Sequence, residues 1–60
     1  MDMDLPKDPV LMLSIVNTEL RDDYPTLDAL CEDKHVRKDL IVDALKSIDY
    51  VYNSLKNQFV

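Results

Sequence analysis

The sequence predicts an all-α fold of three short helices, with the second and third in a helix-turn-helix-like arrangement and a short extended C-terminal tail after them. Three observations predict it. The 60-residue chain has no glycine and three prolines, which favours helical segments joined by stiff turns. Apolar residues recur with helical spacing in three segments. Helix-start signals precede the first two segments, at Asp8-Pro9 and at Thr26.

The length allows one small domain, which we divide into an arm (1–7), a core (8–53) and a tail (54–60). A chain of this size buries only about 60% of the surface that its unfolded form exposes, so its stability is marginal. Apolar residues make up 47% and charged residues 32% of the chain, which is the composition of a globular and not a disordered protein. The lack of glycine excludes a glycine-rich phosphate loop.

The first helix begins at Asp8-Pro9, with Asp8 as the cap and Pro9 at the first helical position. It runs to about Asp23, because Pro25 disfavours helical geometry at the residue before it. At about 100° per residue, one stripe of this helix faces the core. Its members are Val10, Leu13, Val16, Leu20 and Tyr24.

Apolar residues outside that stripe form a candidate surface for a partner or a dimer: Leu11, Met12 and Ile15. One account is that the C-terminal tail covers them through Tyr52 and Phe59. The other is that a second copy or a partner helix packs on them, with Met12 as an adaptable contact. We expect a homodimer or a protein partner, with self-association through the first helix, because small domains often gain burial in this way.

Residues 26–48 are predicted to form the second and third helices. Thr26 caps the second helix, and the turn after it lies at 34–36. The third helix runs from about 38 to 47, with Val42 on its outer side. The predicted buried residues are Leu27, Leu30 and Cys31 in the second helix and Leu40, Ile41, Ala44, Leu45 and Ile48 in the third.

A helix-turn-helix unit reads DNA by laying its second helix in the major groove. Here the candidate nucleic-acid face would be Arg37, Lys38 and Lys46, and Asp39 and Asp43 share that face. Three bases against two acids make a poor surface for displacing counterions from DNA, and the whole chain carries a net charge of −5. A divergent nucleic-acid-binding protein is therefore the alternative function, less expected than protein binding.

The pattern changes after Asp49. Aromatic and apolar residues alternate over Tyr50-Val51-Tyr52-Asn53, which predicts a short extended segment. Residues 54–60 are polar with scattered apolar side chains, so they either pack back onto the helices or fray.

Asn17 falls inside the apolar part of the first helix. A polar group at such a position needs a hydrogen-bond partner if it is buried. The amide either fixes the packing of a helix or a loop, or contacts a ligand.

Residues suited to catalysis or metal binding are sparse. Cys31 and His35 lie four residues apart, but a structural zinc site needs four ligands and the chain has no other Cys or His. Asp22-Asp23 and Glu32-Asp33 are explained more simply as solvated surface than as a general acid–base pair. We therefore expect no catalytic residue, no metal, no cofactor and no enzymatic activity.

The sequence also predicts a cytoplasmic location without membrane association. The longest apolar run, Val10 to Leu13, is far too short to span a bilayer. The acidic start lacks the basic region of a signal peptide. A lone cysteine, Cys31, cannot form an internal disulfide, which is typical of a reducing compartment.

Several motifs are distributed along the whole chain. They are Leu5-Pro6-Lys7-Asp8-Pro9, Leu13–Thr18, Leu20–Asp22, Tyr24–Cys31, Ile48–Asn53 and Asn57-Gln58-Phe59. With these motifs the sequence resembles a bacterial family known only as domain of unknown function 4250. The resemblance covers nearly all 60 residues and implies a free-standing small bacterial protein with no assigned activity, so it implies no catalytic residue.

Overall fold

The computed structural model describes residues 5–60, and the first four residues of the predicted arm lie outside this range. The elements in chain order are α1 (Pro9–Asp22), α2 (Leu27–Lys34), α3 (Lys38–Lys46), β1 (Tyr52–Asn53) and β2 (Gln58–Phe59). The two strands pair antiparallel, with Tyr52 opposite Phe59. The three predicted helices are confirmed, but the fold is not purely all-α, because the C-terminal segment forms a β-hairpin.

The helix starts follow the predicted caps. The Asp8 carboxylate accepts a hydrogen bond from the Val10 N–H at 2.9 Å, and Pro9 takes the first helical position of α1. The Thr26 hydroxyl accepts from the Ala29 N–H at 3.1 Å. Each contact satisfies an N–H at a helix end that no intrahelical carbonyl can reach, so these two local signals fix where α1 and α2 begin.

A left-handed residue makes the turn between α2 and α3. His35 has φ 56° and ψ 44°, a conformation more often taken by glycine at the end of a helix. The next residue closes the turn, since the Val36 N–H donates to the Cys31 carbonyl at 3.0 Å. Val36 then packs partly buried against the core. The predicted turn is confirmed without the glycine that such turns usually contain.

The core differs from the predicted stripes at two positions in α1 and two in α3. Its buried members are Met12, Val16, Leu20, Leu27, Leu30, Cys31, Ile41, Leu45 and Phe59. Val10 is 62% exposed and Leu40 is 58% exposed, so both are wrongly predicted as core. Val42, predicted on the outer side of α3, is partly buried.

These errors have one geometric cause. The buried stripe of α1 runs through Met12, Val16 and Leu20, each four residues from the last, and Val10 lies off this line. In α3, Leu40 and Val42 lie on opposite sides of the buried Ile41, about 100° away from it in each direction. Apolar residues surround the first turns of α1 and flank Ile41 in α3, so sequence period alone does not select the buried side.

The C-terminal residues fold back as a hairpin. The Asn53 side-chain oxygen accepts from the N–H groups of Leu55 and Lys56 and so shapes the turn. Beyond the two strands, Val51 and Val60 exchange backbone hydrogen bonds of 3.0 and 2.9 Å. The predicted extended segment is confirmed at β1, and the tail packs back and buries Phe59.

Asn17 joins this hairpin to α1. In a pair of antiparallel strands, directly opposite residues alternate between pairs that exchange backbone hydrogen bonds and pairs that do not. Val51 and Val60 bond each other, so the N–H and C=O of Phe59, one residue earlier, point away from β1. The Asn17 carboxamide meets both, accepting from the Phe59 N–H at 2.8 Å and donating to its carbonyl at 3.1 Å. The Asn17 side chain therefore forms the two backbone hydrogen bonds that a neighbouring strand would otherwise form with β2. This confirms that the amide holds the hairpin against α1.

A second amide, Asn57, ties the hairpin to the end of α1. Its side-chain nitrogen donates to the carbonyls of Leu20 (3.0 Å) and Tyr24 (2.8 Å). Its oxygen accepts from the Tyr52 hydroxyl at 2.6 Å, and that hydroxyl accepts from the Leu27 N–H at 3.2 Å. The hairpin thus satisfies backbone groups at the end of α1 and the start of α2, which have no partner within their helices.

Replacing Asn17 with Leu tests the contribution of the α1–hairpin contact. We expect Asn17→Leu to lower the free energy of unfolding by about 1–3 kcal/mol, because it leaves the Phe59 N–H and C=O without their partner. Urea unfolding followed by circular dichroism measures this. Gln58→Ala is the matched control, since that amide makes no side-chain hydrogen bond within residues 5–60 and its loss costs under about 0.5 kcal/mol. Equal losses in the two variants would contradict the assignment.

Candidate interaction surfaces

The first candidate surface is the outer face of α1, which we define as Val10, Leu11, Ser14, Ile15 and Thr18. Helical spacing places these residues on the side opposite the Met12–Val16–Leu20 stripe. Leu11 is 55% exposed, and Ile15 is partly exposed without belonging to the core cluster. The Thr18 hydroxyl donates to the Ser14 carbonyl at 2.8 Å, so it is satisfied within the helix. The face is therefore mainly apolar, with two small hydroxyl side chains, over about two helical turns.

Met12 does not belong to this surface, although the sequence analysis places it there. Its side chain is only 7% exposed and packs in the core with Val16 and Leu20. The reason is its helical position, since it lies about 100° from Leu11 and in line with the buried residues four and eight positions later. Of the predicted surface, Leu11 thus remains exposed and Ile15 partly exposed, and the folded-back tail leaves Leu11 uncovered.

The candidate nucleic-acid face on α3 is largely neutralised. The guanidinium of Arg37 lies 2.8 Å from the carboxylate of Asp39, and the Lys38 ammonium lies 3.0 Å from that of Asp28. The hydrogen bond from Lys38 to Asp28 raises the pKa of the lysine. Lys46 is exposed at the other end of the helix. Two of the three predicted cations therefore already have anionic partners on the protein.

A groove of about 540 Å³ opens between the arm, α1 and α3, and we call it the α1–α3 groove. Met12 and Ile41 reach it from the core, and the exposed Leu40 stands on its α3 side. Its full lining is Leu5, Pro6, Lys7, Met12, Lys34, His35, Val36, Leu40, Ile41 and Ala44. Sequence reasoning missed this groove, because it forms only where residues 5–7 pack near α3.

A polar cluster lies where α1 and α2 meet. The Lys34 ammonium is 3.2 Å from a carboxylate oxygen of Glu19 and 5.9 Å from the centre of the Tyr24 ring. That oxygen of Glu19 is buried and makes no hydrogen bond of good geometry within residues 5–60, so charge attraction to Lys34 compensates its burial. The Tyr24 hydroxyl donates to the Asp33 carboxylate. The cluster fixes the packing of α2 against the end of α1.

Cys31 and His35 do not form a common site. The Cys31 thiol is buried, and burial raises its pKa, so it remains a neutral core group. His35 is an exposed turn residue after the end of α2. No group of three His, Cys, Asp or Glu side chains in residues 5–60 is arranged to hold a metal ion.

In the same part of the chain, every helix is too short or too polar to cross a bilayer.

Comparison with known families matches residues 6–59 to the family described as Domain of unknown function (DUF4250). The chain belongs to this family. The match runs from the start of the arm to Phe59 and so includes both elements joined by Asn17. No curated protein matches the chain significantly, and no solved structure does. Membership of this family implies no particular activity.

The polar cluster makes stability sensitive to high pH. The hydrogen bond to Asp33, with added effects of burial and nearby carboxylates, raises the pKa of Tyr24 to about 12. The folded state favours the neutral phenol of Tyr24. Its contribution to the free energy of unfolding is therefore fully present below pH 10 and is lost as the pH rises towards 12. Ultraviolet titration at 295 nm should show one tyrosine ionising last.

Two substitutions check this assignment. Tyr24→Phe should remove the last ionisation, and Asp33→Asn should lower the pKa of Tyr24 towards 10 because the acceptor loses its charge. Tyr50→Phe is the control that leaves the last ionisation in place. A last ionisation that survives Tyr24→Phe would show that another tyrosine carries it.

Proposed function

We propose that the protein is a non-catalytic interaction module that self-associates through the outer face of α1. The observation that carries the proposal is that residues 9–18 contain no charged side chain, in a chain that is 32% charged, although Leu11 is 55% exposed. Single exposed apolar residues are common on monomers and need no explanation. A continuous uncharged face along two turns is typical of an interaction surface.

The side chains on this face suit close packing of two helices. Leu11 and Ile15 lie four residues apart and provide the apolar contact. Ser14 and Thr18 are small and lie beside them, which lets a second helix approach closely. A twofold pair of α1 helices would therefore pack the large residues of one copy against the small residues of the other.

The charges at the ends of α1 favour an antiparallel pair. If the twofold axis passes between Ser14 and Ile15, then Leu11 lies opposite Thr18 of the second copy. In the same register Asp8 of each copy lies opposite Arg21 of the other, so opposite charges meet at both ends. A parallel pair would instead bring like charges together, Asp22 against Asp22. Antiparallel packing also sets opposite ends of the helix dipoles side by side.

Nucleic-acid binding through Arg37, Lys38 and Lys46 stays a weaker prediction. The α2–turn–α3 layout is compatible with it. However, the ion pairs to Asp39 and Asp28 reduce the charge available for phosphate contacts. The apolar contact through Leu11 and Ile15 requires no ion pair to open, so the outer face of α1 is the better-supported surface.

Sedimentation velocity over roughly 10 μM to 1 mM protein tests self-association, with a weak dimer expected because the face is small. Leu11→Ser should raise the dimer dissociation constant at least about tenfold, since it removes an apolar contact worth ~1.5 kcal/mol or more. Leu55→Ser is the matched control, because Leu55 is 96% exposed on the hairpin turn and lies off α1. A strict monomer at about 1 mM, or equal effects of the two substitutions, would contradict the proposal.

Oxidative cross-linking tests the orientation. With a rise of about 1.5 Å per residue, two Ser14 residues lie almost level across an antiparallel pair, and two Thr18 residues are offset by about 10 Å. A disulfide needs Cα atoms within about 7 Å. Ser14→Cys should therefore form a cross-linked dimer and Thr18→Cys should not. Efficient cross-linking of both variants would indicate a parallel pair and contradict the antiparallel register.

A further inference from the structure

We propose that the α1–α3 groove binds a small amphiphilic anion, an aliphatic carboxylate whose chain lies in the groove and whose head group contacts Lys7. This site is separate from the self-association face, because Leu11, Ser14, Ile15 and Thr18 do not line it among the described residues. The inference therefore stands or falls independently of the proposed dimer.

The floor of the groove is suited to an aliphatic chain. Val36 and Ala44 are partly exposed and supply apolar surface from two segments of the fold, and Met12 and Ile41 lie behind them in the core. Leu40 extends this surface outward with 58% of its area exposed, although helical period predicts it to be buried. Covering this surface with an aliphatic chain would be favourable by about 25 cal/mol per Å² of apolar area removed from water. The exposure of Leu40 is thus explained if the groove is occupied.

The rim of the groove selects the charge of the ligand. The chain has twelve acidic and seven basic residues, yet the ionisable residues that line the groove within residues 5–60 are Lys7, Lys34 and His35, with no acid among them. Lys34 is already paired with Glu19. Lys7 is exposed and has no carboxylate within 4 Å in the described part of the chain, so its ammonium can meet a ligand carboxylate. His35 offers a ring N–H at the same rim.

The size of the groove favours a small molecule over a protein helix. A volume of about 540 Å³ lies within the range of roughly 300–1,000 Å³ that is usual for small-molecule sites. A stable interface with another protein needs about 800 Å² on each partner, which a groove of this volume does not offer. A single aliphatic chain with one charged end matches the groove in both size and chemistry.

Three probes with a ten-carbon chain test the proposal: decanoate, decanol and decyltrimethylammonium. Each is used at low salt, the two ions below their micelle-forming concentrations and decanol below its solubility limit. ¹H–¹⁵N correlation spectra should show saturable shifts at groove residues with decanoate. Decanol should bind about fivefold more weakly, since an exposed ion pair contributes up to ~1 kcal/mol, and the cation should bind most weakly. Absence of saturable shifts, or equal affinity for all three probes, would overturn the proposal.

Matched variants assign the binding to the groove. Lys7→Glu should raise the dissociation constant for decanoate about fivefold, and Lys46→Glu, the same charge change at an exposed site outside the lining, should change it less than twofold. Leu40→Ser should weaken decanoate and decanol alike, and Leu55→Ser should weaken neither. Leu11→Ser should bind as the parent does. Shifts centred on the outer face of α1, or equal effects of Lys7→Glu and Lys46→Glu, would overturn the proposal.

Discussion

The paired hydrogen bonds between the Asn17 carboxamide and the Phe59 backbone connect two segments that lie 42 residues apart in the chain. A two-stranded hairpin is at best marginally stable alone in water. This one is held because Asn17 bonds the edge of β2 that faces α1, while Asn57 bonds carbonyls at the end of α1. With the backbone satisfied in this way, Phe59 can be buried at 2% exposure without leaving unpaired polar groups beside it.

This connection, together with the packing of α2 and α3 on the same stripe, sets which side of α1 faces water. Apolar residues surround the first turns of the helix, so more than one buried face is compatible with its sequence. Docking of the hairpin beside Asn17 accompanies burial of Met12, Val16 and Leu20 and leaves Leu11 outside. The proposed self-association face is therefore a consequence of tertiary structure. The α1–α3 groove has a similar origin, since residues 5–7 form its wall only once α1 and α3 have packed together.

Local signals in the sequence predict the helices well. The caps at Asp8 and Thr26 act through neighbouring N–H groups, so they place the starts of α1 and α2 correctly. The exposure of Val10 and the burial of Met12 could not be predicted, because they depend on contacts with distant parts of the chain. The hairpin was predicted only as an extended segment, since its pairing depends on side-chain amides rather than on a glycine turn. Leu11 lies outside the core, as its position off the predicted stripe indicates. The groove could not be predicted, because it combines four separate segments.

Native-state hydrogen exchange of the Phe59 amide tests the central claim most directly. If the bond to Asn17 holds the hairpin on α1, this amide opens together with the core, and its protection should lie within about tenfold of that of Val16 in the middle of α1. Protection more than about a hundredfold below that of Val16 would mean that the hairpin detaches while the helices stay folded. The tail would then be an independent, weakly held segment, and the buried face of α1 would need another explanation.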